Sequence, residues 1–218
     1  VDDTTLYNNT IDSNDYSGII LTESSDNKIV HNIVKGNGKY GIQILNEDTK
    51  SANNTIKDNT INDNTDVGVF NQGIFTIIFN NTIKYNEDDG IKIGEDGARS
   101  TIDSNDLIDN EGKAISILAN NVVVKSNVID GESSTVALLV LDSNSVSIEN
   151  NTVEGGLHGI KVQNSTHAFI YKNTVKSNSG YGIYLLIDSE FGDVKHNILT
   201  GNEDHAIVIS ASNSTEIY

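Results

Sequence analysis

The sequence predicts an all-β fold, a right-handed single-stranded parallel β-helix of about nine coils of 22–24 residues. Three observations predict it: an Asn-led step recurs nine times, apolar columns align across the copies, and no stretch has helical spacing. The recurring residue is Asn9, Asn32, Asn59, Asn81, Asn105, Asn127, Asn151, Asn173 and Asn197, at gaps of 23, 27, 22, 24, 22, 24, 22 and 24. Self-similarity at such a period marks a solenoid, because one copy cannot bury its apolar side alone and must stack on its neighbours.

Within each copy the elements follow in order. Three residues before the Asn stands an aliphatic, from Leu6 to Val194, and two after it another, from Ile11 to Leu199. A third column follows a small residue and includes Ile19, Ile42, Val69, Ile91, Ile115, Ala137, Ile160, Ile183 and Ile207. The fourth lies two further on, and Asn71 is its one polar member. Apolar-x-apolar alternation is the period of a strand. Each short run is bounded by Asn, Gly, Ser or Asp, which punctuate chains as turns. Each copy therefore reads as two or three strands, stacked in parallel at about 4.8 Å into a rod roughly 40 Å long.

The corners have their own logic. The recurring Asn is expected to turn the chain in the left-handed backbone region, which it tolerates at little cost, and to bond its amide to the Asn of the next coil. Gly18, Gly41, Gly68, Gly90, Gly159 and Gly182, with Ala114 and Ala206, fill a slot where a larger side chain would crowd the bend. Val136 is the expected misfit there, relieved by local relaxation.

The stretch NNTIKYNEDDGIKI (80–93) fits the pattern N-x-I-x-x-N-x-x-x-G-I-x-L. In this the chain resembles the parallel β-helix repeat family, NosD-like and carbohydrate-active right-handed β-helix proteins among them. The resemblance spans all nine copies. It implies the solenoid fold and, more broadly, surface proteins that bind or process polysaccharides. Copper-site maturation, associated with the NosD-like members, is opposed by a chain with no Cys or Met to supply soft ligands.

Composition narrows function. Acidic residues outnumber basic ones 31 to 14, a net charge of −17, which repels nucleic-acid phosphates and anionic membrane faces. No apolar run reaches bilayer-spanning length. Residues 1–218 read as one β-helix domain and, with no Met and a last stretch, SNSTEIY, that looks like the start of a tenth coil, as a segment of a longer solenoid or surface protein. End-to-end self-association is the alternative for the open ends.

The outward position between the third and fourth columns reads Ile20, Gln43, Phe70, Lys92, Ser116, Leu138, Lys161, Tyr184 and Val208. The turn before it supplies Tyr16, Tyr40, Asp88, Asp89, Lys113, His158, Tyr181, Asp204 and His205. Carbohydrate-binding candidates are Lys92, Lys161, Tyr181, Tyr184 and Asp204, because Tyr rings stack on sugar faces and charged tips bond hydroxyls and carboxylates. Catalytic candidates are His158, Lys161, Tyr181, Tyr184 and His205, as proton-moving groups beside a cation that neutralises a uronate. Asp88 and Asp89 read as a solvated turn, with their side chains on opposite faces. The single Arg, Arg99, stands apart in GEDGARS.

No metal site is expected among the five His, which share no coil-neighbour column. Calcium is the one ion the acidic turns NEDT and GEDG could hold. Sequons occur at Asn8, Asn53, Asn80, Asn150, Asn164 and Asn213. An outward Thr column (Thr10, Thr60, Thr82, Thr152, Thr174) is broken by Ile33, Asp106, Val128 and Ile198, against a regular ice-matching lattice. The expected function is a noncatalytic extracellular or cell-surface rod, adhesin-like, holding polysaccharide or cell-surface glycan along an exposed strand face. The alternative is a uronate lyase or epimerase with its site on the outer face of coils seven to nine.

Overall fold

The computed structural model describes residues 2–47, 50–132, 134–186, 192–210 and 216–217. All described regular structure is β, in three parallel sheets. The first has ten strands, from Thr5–Tyr7 to Glu216–Ile217; the second nine, from Thr10–Asp12 to Ile198–Thr200; the third nine, from Ile19–Thr22 to Ile207–Ser210. The chain visits the sheets in that order, once per coil. Each strand pairs in parallel with its equivalents one coil before and after, as Ile78 does with Ile56 and Ile102.

The alternation read from the sequence sets the register. The central residue of each three-residue strand in the first two sheets points inward: Ile29, Ile56, Ile78, Val34, Ile61 and Ile83 are fully buried. The third sheet sends two residues inward per coil, such as Ile91 and Ile93. Burying each such side chain stabilises the fold by about 1.5–3 kcal/mol. Asn71, the polar member of the fourth column, is also fully buried and fully bonded. Its Nδ2 donates to Gly73 O and Ser100 Oγ, and its Oδ1 accepts from Gly73 N and Thr76 Oγ1.

The corner Asn residues form a continuous ladder. Asn105 sends both its backbone N–H and its Nδ2 to Asn127 Oδ1 (2.8 and 3.0 Å), and Asn127 does the same to Asn151 (2.9 and 3.0 Å). The left-handed residue, however, is the one before each ladder Asn: Asn8, His31, Asp58, Asn80, Ser104, Ser126, Asn150, Lys172 and His196 all have positive φ. The division of labour is physical. The positive-φ residue makes the bend and faces solvent, and the next residue turns its amide inward to satisfy the buried N–H groups the bend exposes. All five sequon Asn residues in the described chain are exposed with positive φ, Asn8, Asn80 and Asn150 at this corner and Asn53 and Asn164 at another; Asn213 lies outside the described residues.

A second ladder, Asn14–Asn37–Asn64–Asn86–Asn110, runs along the next corner, and resumes with Asn178–Asn202. Between the two runs Ser134 and Gly156 hold the position, as the bonds from Leu157 N to Ser134 O and from Ser179 N to Gly156 O place them. Asn178 Oδ1 consequently has no partner.

The same coils correct the sequence register. Leu138, not Ala137, pairs with Ile115 and Ile160, and Leu139 takes the outward position beside Ser116 and Lys161. The turn of coil six is one residue longer than its neighbours and that of coil seven one shorter. Ala137 therefore drops into the small-residue slot, and Val136 stands outside it beside His158. No relaxation around Val136 is needed. The slot itself is tight: a Cβ on Gly68 would lie 2.7 Å from Gly90 O. At the C-terminal end Asp193 and Val194 pair with Glu216 and Ile217, adding a tenth strand to the first sheet; the rest of SNSTEIY is outside the described residues.

Candidate functional site

The outer face of the third sheet gathers the chemistry. Two outward columns run along it. One contains Tyr40, Val67, Asp89, Lys113, Val136, His158, Tyr181 and His205, stepped by bonds such as Gly159 N to Tyr181 O and Gly182 N to His205 O. The other contains Gln43, Phe70, Lys92, Ser116, Leu139, Lys161, Tyr184 and Val208.

Coils seven to nine carry one cluster. The rings of His158 and Tyr181 stack at 4.7 Å and 14°, one coil apart in the same column. Tyr184 meets both edge-on, at 5.5 and 5.1 Å, and Tyr181 meets His205 at 5.8 Å. Lys161 Nζ lies 5.7 Å from the centre of the Tyr184 ring. Parallel stacking thus brings the catalytic candidates His158, Lys161, Tyr181, Tyr184 and His205 into one group, with Asp204 exposed at its edge. His158 Nδ1 accepts the Tyr181 backbone N–H at 3.2 Å, so the neutral ring carries its proton on Nε2. Burial, and then the Lys161 charge, hold the His158 pKa below the usual imidazole range, with Asp204 opposing them.

A second region occupies coils two to five. A groove of about 490 Å³ is lined by Tyr40, Asp66, Val67, Phe70, Gln72, Asp88, Lys92, Gly94, Glu95, Asp96 and Leu118. Tyr40 and Phe70 stack at 5.3 Å and 23°. Burial raises the Asp88 pKa, reinforced by Asp89 and Asp66 and opposed by Lys92. Burial also raises the Tyr40 pKa, with Asp66 and Asp88 adding to it. Asp89 is neither solvated nor turned away from Asp88: a Cβ on Gly112 would lie 2.6 Å from both Asp88 Oδ1 and Asp89 Oδ1. Asp89 is buried and accepts from Ser116 Oγ and Lys113 N, with Lys113 Nζ at 3.6 Å. The long turn at 45–53 abuts this region: Asn46 Nδ2 donates to Gln72 O at 2.8 Å, while residues 48 and 49 lie outside the described chain.

Of the sequence candidates, Lys92 lies in this groove, apart from Lys161, Tyr181, Tyr184 and Asp204. Asp66 and Gln72 escaped the sequence reading, and Glu95 and Asp96 entered it only as part of the acidic turn GEDG. Asp66 and Asp88 hold the same offset before Val69 and Ile91, which is the signal that would have found the pair. Arg99 lies elsewhere, 5.4 Å from the Phe75 ring centre. Of the acidic turns, GEDG contributes Gly94, Glu95 and Asp96 to the groove wall, and NEDT is only partly described. Among the described residues one group of three acids could share a cation: Asp109, Asp130 and Glu132, whose ligand atoms lie within 4.8 Å of one another. Burial and the neighbouring Asp109 raise the Asp130 pKa.

The profile of the family described as "right handed beta helix region" matches residues 1–73 and 67–218. No curated protein matches. Among solved structures, the chain is similar to the periplasmic alginate epimerase AlgG, with a TM-score of 0.80 at 20% identity over 89% of this chain and 50% of that one. It is also similar to the mannuronan C-5 epimerase AlgE4 A-module of Azotobacter vinelandii, with a TM-score of 0.73 at 17% identity over 92% and 58%. An alginate lyase from Paenibacillus sp. str. FPU-7 aligns with a TM-score of 0.72 at 17% identity over 91% and 76%. The chain thus spans only 50–58% of the length of the two epimerases. At these identities the likeness is one of fold.

Proposed function

We propose, from the premise that this chain belongs to the right-handed β-helix family, that it is a noncatalytic extracellular rod that holds polysaccharide along the outer face of its third sheet. The observation that carries this reading is the packed His158–Tyr181–Tyr184 group with Lys161 over it. Tyr faces stack on sugar rings, and the Tyr hydroxyls, His158 Nε2–H and Lys161 ammonium are donors suited to a uronate carboxylate. Similar folds named as alginate epimerases and an alginate lyase support a uronate-bearing polymer as the ligand class.

The second reading, a uronate epimerase or lyase at the same residues, is favoured by those names. Against it stands the His158 geometry. A general base needs a free lone pair, and the His158 Nδ1 lone pair is engaged by Tyr181 N–H.

Calorimetric titration with mannuronate and galacturonate hexamers tests the binding. Lys161→Ala and Tyr184→Ala should each weaken it roughly tenfold, about 1.4 kcal/mol. Ultraviolet absorbance of unsaturated sugar ends, with NMR of the recovered polymer, tests turnover. Products that vanish in His158→Ala and Tyr184→Ala would replace the binding reading with the enzymatic one. Failure of both polymers to bind would remove uronates as the ligand.

A further inference from the structure

We infer that the groove on coils two to five is a separate saccharide subsite, selective for a sugar bearing a protonated amine. The argument is independent of the reading given for coils seven to nine.

The groove has the two parts such a ligand needs. Its lining includes Tyr40 and Phe70, whose rings stack on each other across one coil and offer aromatic contact to the apolar C–H face of a pyranose. Its walls carry Asp66, Asp88, Glu95 and Asp96 against a single ammonium, Lys92. With all four carboxylates ionised the lining charge is −3, four negative against one positive. A uronate would meet net repulsion there. An ammonium-bearing ring would place its cation among carboxylates and its hydroxyls within reach of the same oxygens.

Two turns are tied to this lining: Asn46 Nδ2 donates to Gln72 O, and the GEDG turn supplies Gly94, Glu95 and Asp96. A basic peptide is less well served than a saccharide. The backbone groups of the third sheet are spent on coil-to-coil bonds, such as Ile91 N to Ala114 O and Val69 N to Gly90 O, so an extended peptide would find no main-chain partners.

The test is calorimetric titration of the full chain with β-1,4-linked glucosamine tetramer, its N-acetylated counterpart and tetralysine. The amine tetramer should bind at least about tenfold more tightly than the acetylated one, and more tightly than tetralysine. Phe70→Ala should weaken it by a similar factor, with circular dichroism confirming the fold. The conservative pair Asp66→Asn and Asp88→Asn should abolish the preference for the free amine, and it keeps the proposal testable where Phe70→Ala unfolds. Equal binding of the two tetramers, tetralysine binding as tightly as the saccharide, a preference surviving in the double variant, or no binding of the amine tetramer would each overturn it.

Discussion

The central groove and the C-terminal cluster occupy the same two outward columns of one sheet, yet they are chemical opposites. At coils two to five, four carboxylates surround one lysine and two rings lie nearly flat on each other. At coils seven to nine, three rings pack mostly edge-to-face beneath one lysine, and Asp204 beside them is exposed. Coil six separates them with Val136 and Leu139. The scaffold fixes where a side chain projects and leaves its identity free, so adjacent stretches of one rod can carry unrelated chemistry.

The scaffold beneath them also differs. The groove sits on an unbroken second Asn ladder, whereas the interruption at Ser134 and Gly156 reaches into the first coil of the cluster. Substitution should expose this most strongly. Asn64→Ala leaves the buried backbone N–H and Nδ2 of Asn37 without their acceptor and should cost about 3 kcal/mol. Asn178→Ala orphans no donor, because Asn178 Oδ1 accepts nothing, and should cost only about 1 kcal/mol. Urea denaturation measures both, and equal losses would erase the distinction.

Acidity should move the two regions in opposite senses. His158 has a depressed folded pKa, so its contribution is complete above the unfolded value of about 6.5 and is lost as pH falls through that value toward the folded one. Asp88 has a raised pKa, so the folded chain binds its proton more readily. Its penalty is present at neutral pH and is relieved as pH falls through the folded value toward the unfolded one. Asp88→Asn should therefore raise the urea midpoint at neutral pH, and His158→Gln should flatten the decline in stability between about pH 7.5 and 5.5. NMR titration of the His158 ring gives the direct reading, and a midpoint above that of a free histidine would contradict the assignment.

The smallest effect concerns the surface. Lys176 and Glu154 pair at 2.9 Å on the second sheet, both accessible to water. Lys176→Ala should cost no more than about 0.5 kcal/mol. A larger loss would mean that ion pairs compensate for the ladder gap on that side of the rod.

How much of this was legible follows from what repeats. The apolar columns, the small slot and the corner Asn recur at fixed offsets, and parallel stacking converts a fixed offset into a contact. His158, Tyr181 and His205 could be grouped in this way, since they share one offset in successive coils. The coil-six register slipped because one turn gained a residue as the next lost one, so counting from Asn127 lands on Ala137 when packing selects Leu138. The left-handed position was misassigned because Asn, His, Lys and Ser all occupy it, which hides it from composition. The groove was missed because its lining mixes offsets: Asp66 and Asp88 precede a strand, whereas Gln72, Glu95 and Asp96 follow one. Only the fold brings those turns to a common wall.

The unbroken run of paired amides from Asn37 to Asn110 makes its successive junctions near-copies of one another. A winding duplicated within that stretch would meet familiar partners above and below, and the molecule would simply grow by about 4.8 Å. At Ser134 and Gly156 the junctions differ, and an added winding would face a mismatch on one side. Reach is thus readily adjustable in the amino-terminal half of this chain, while the spacing around the interruption is held fixed.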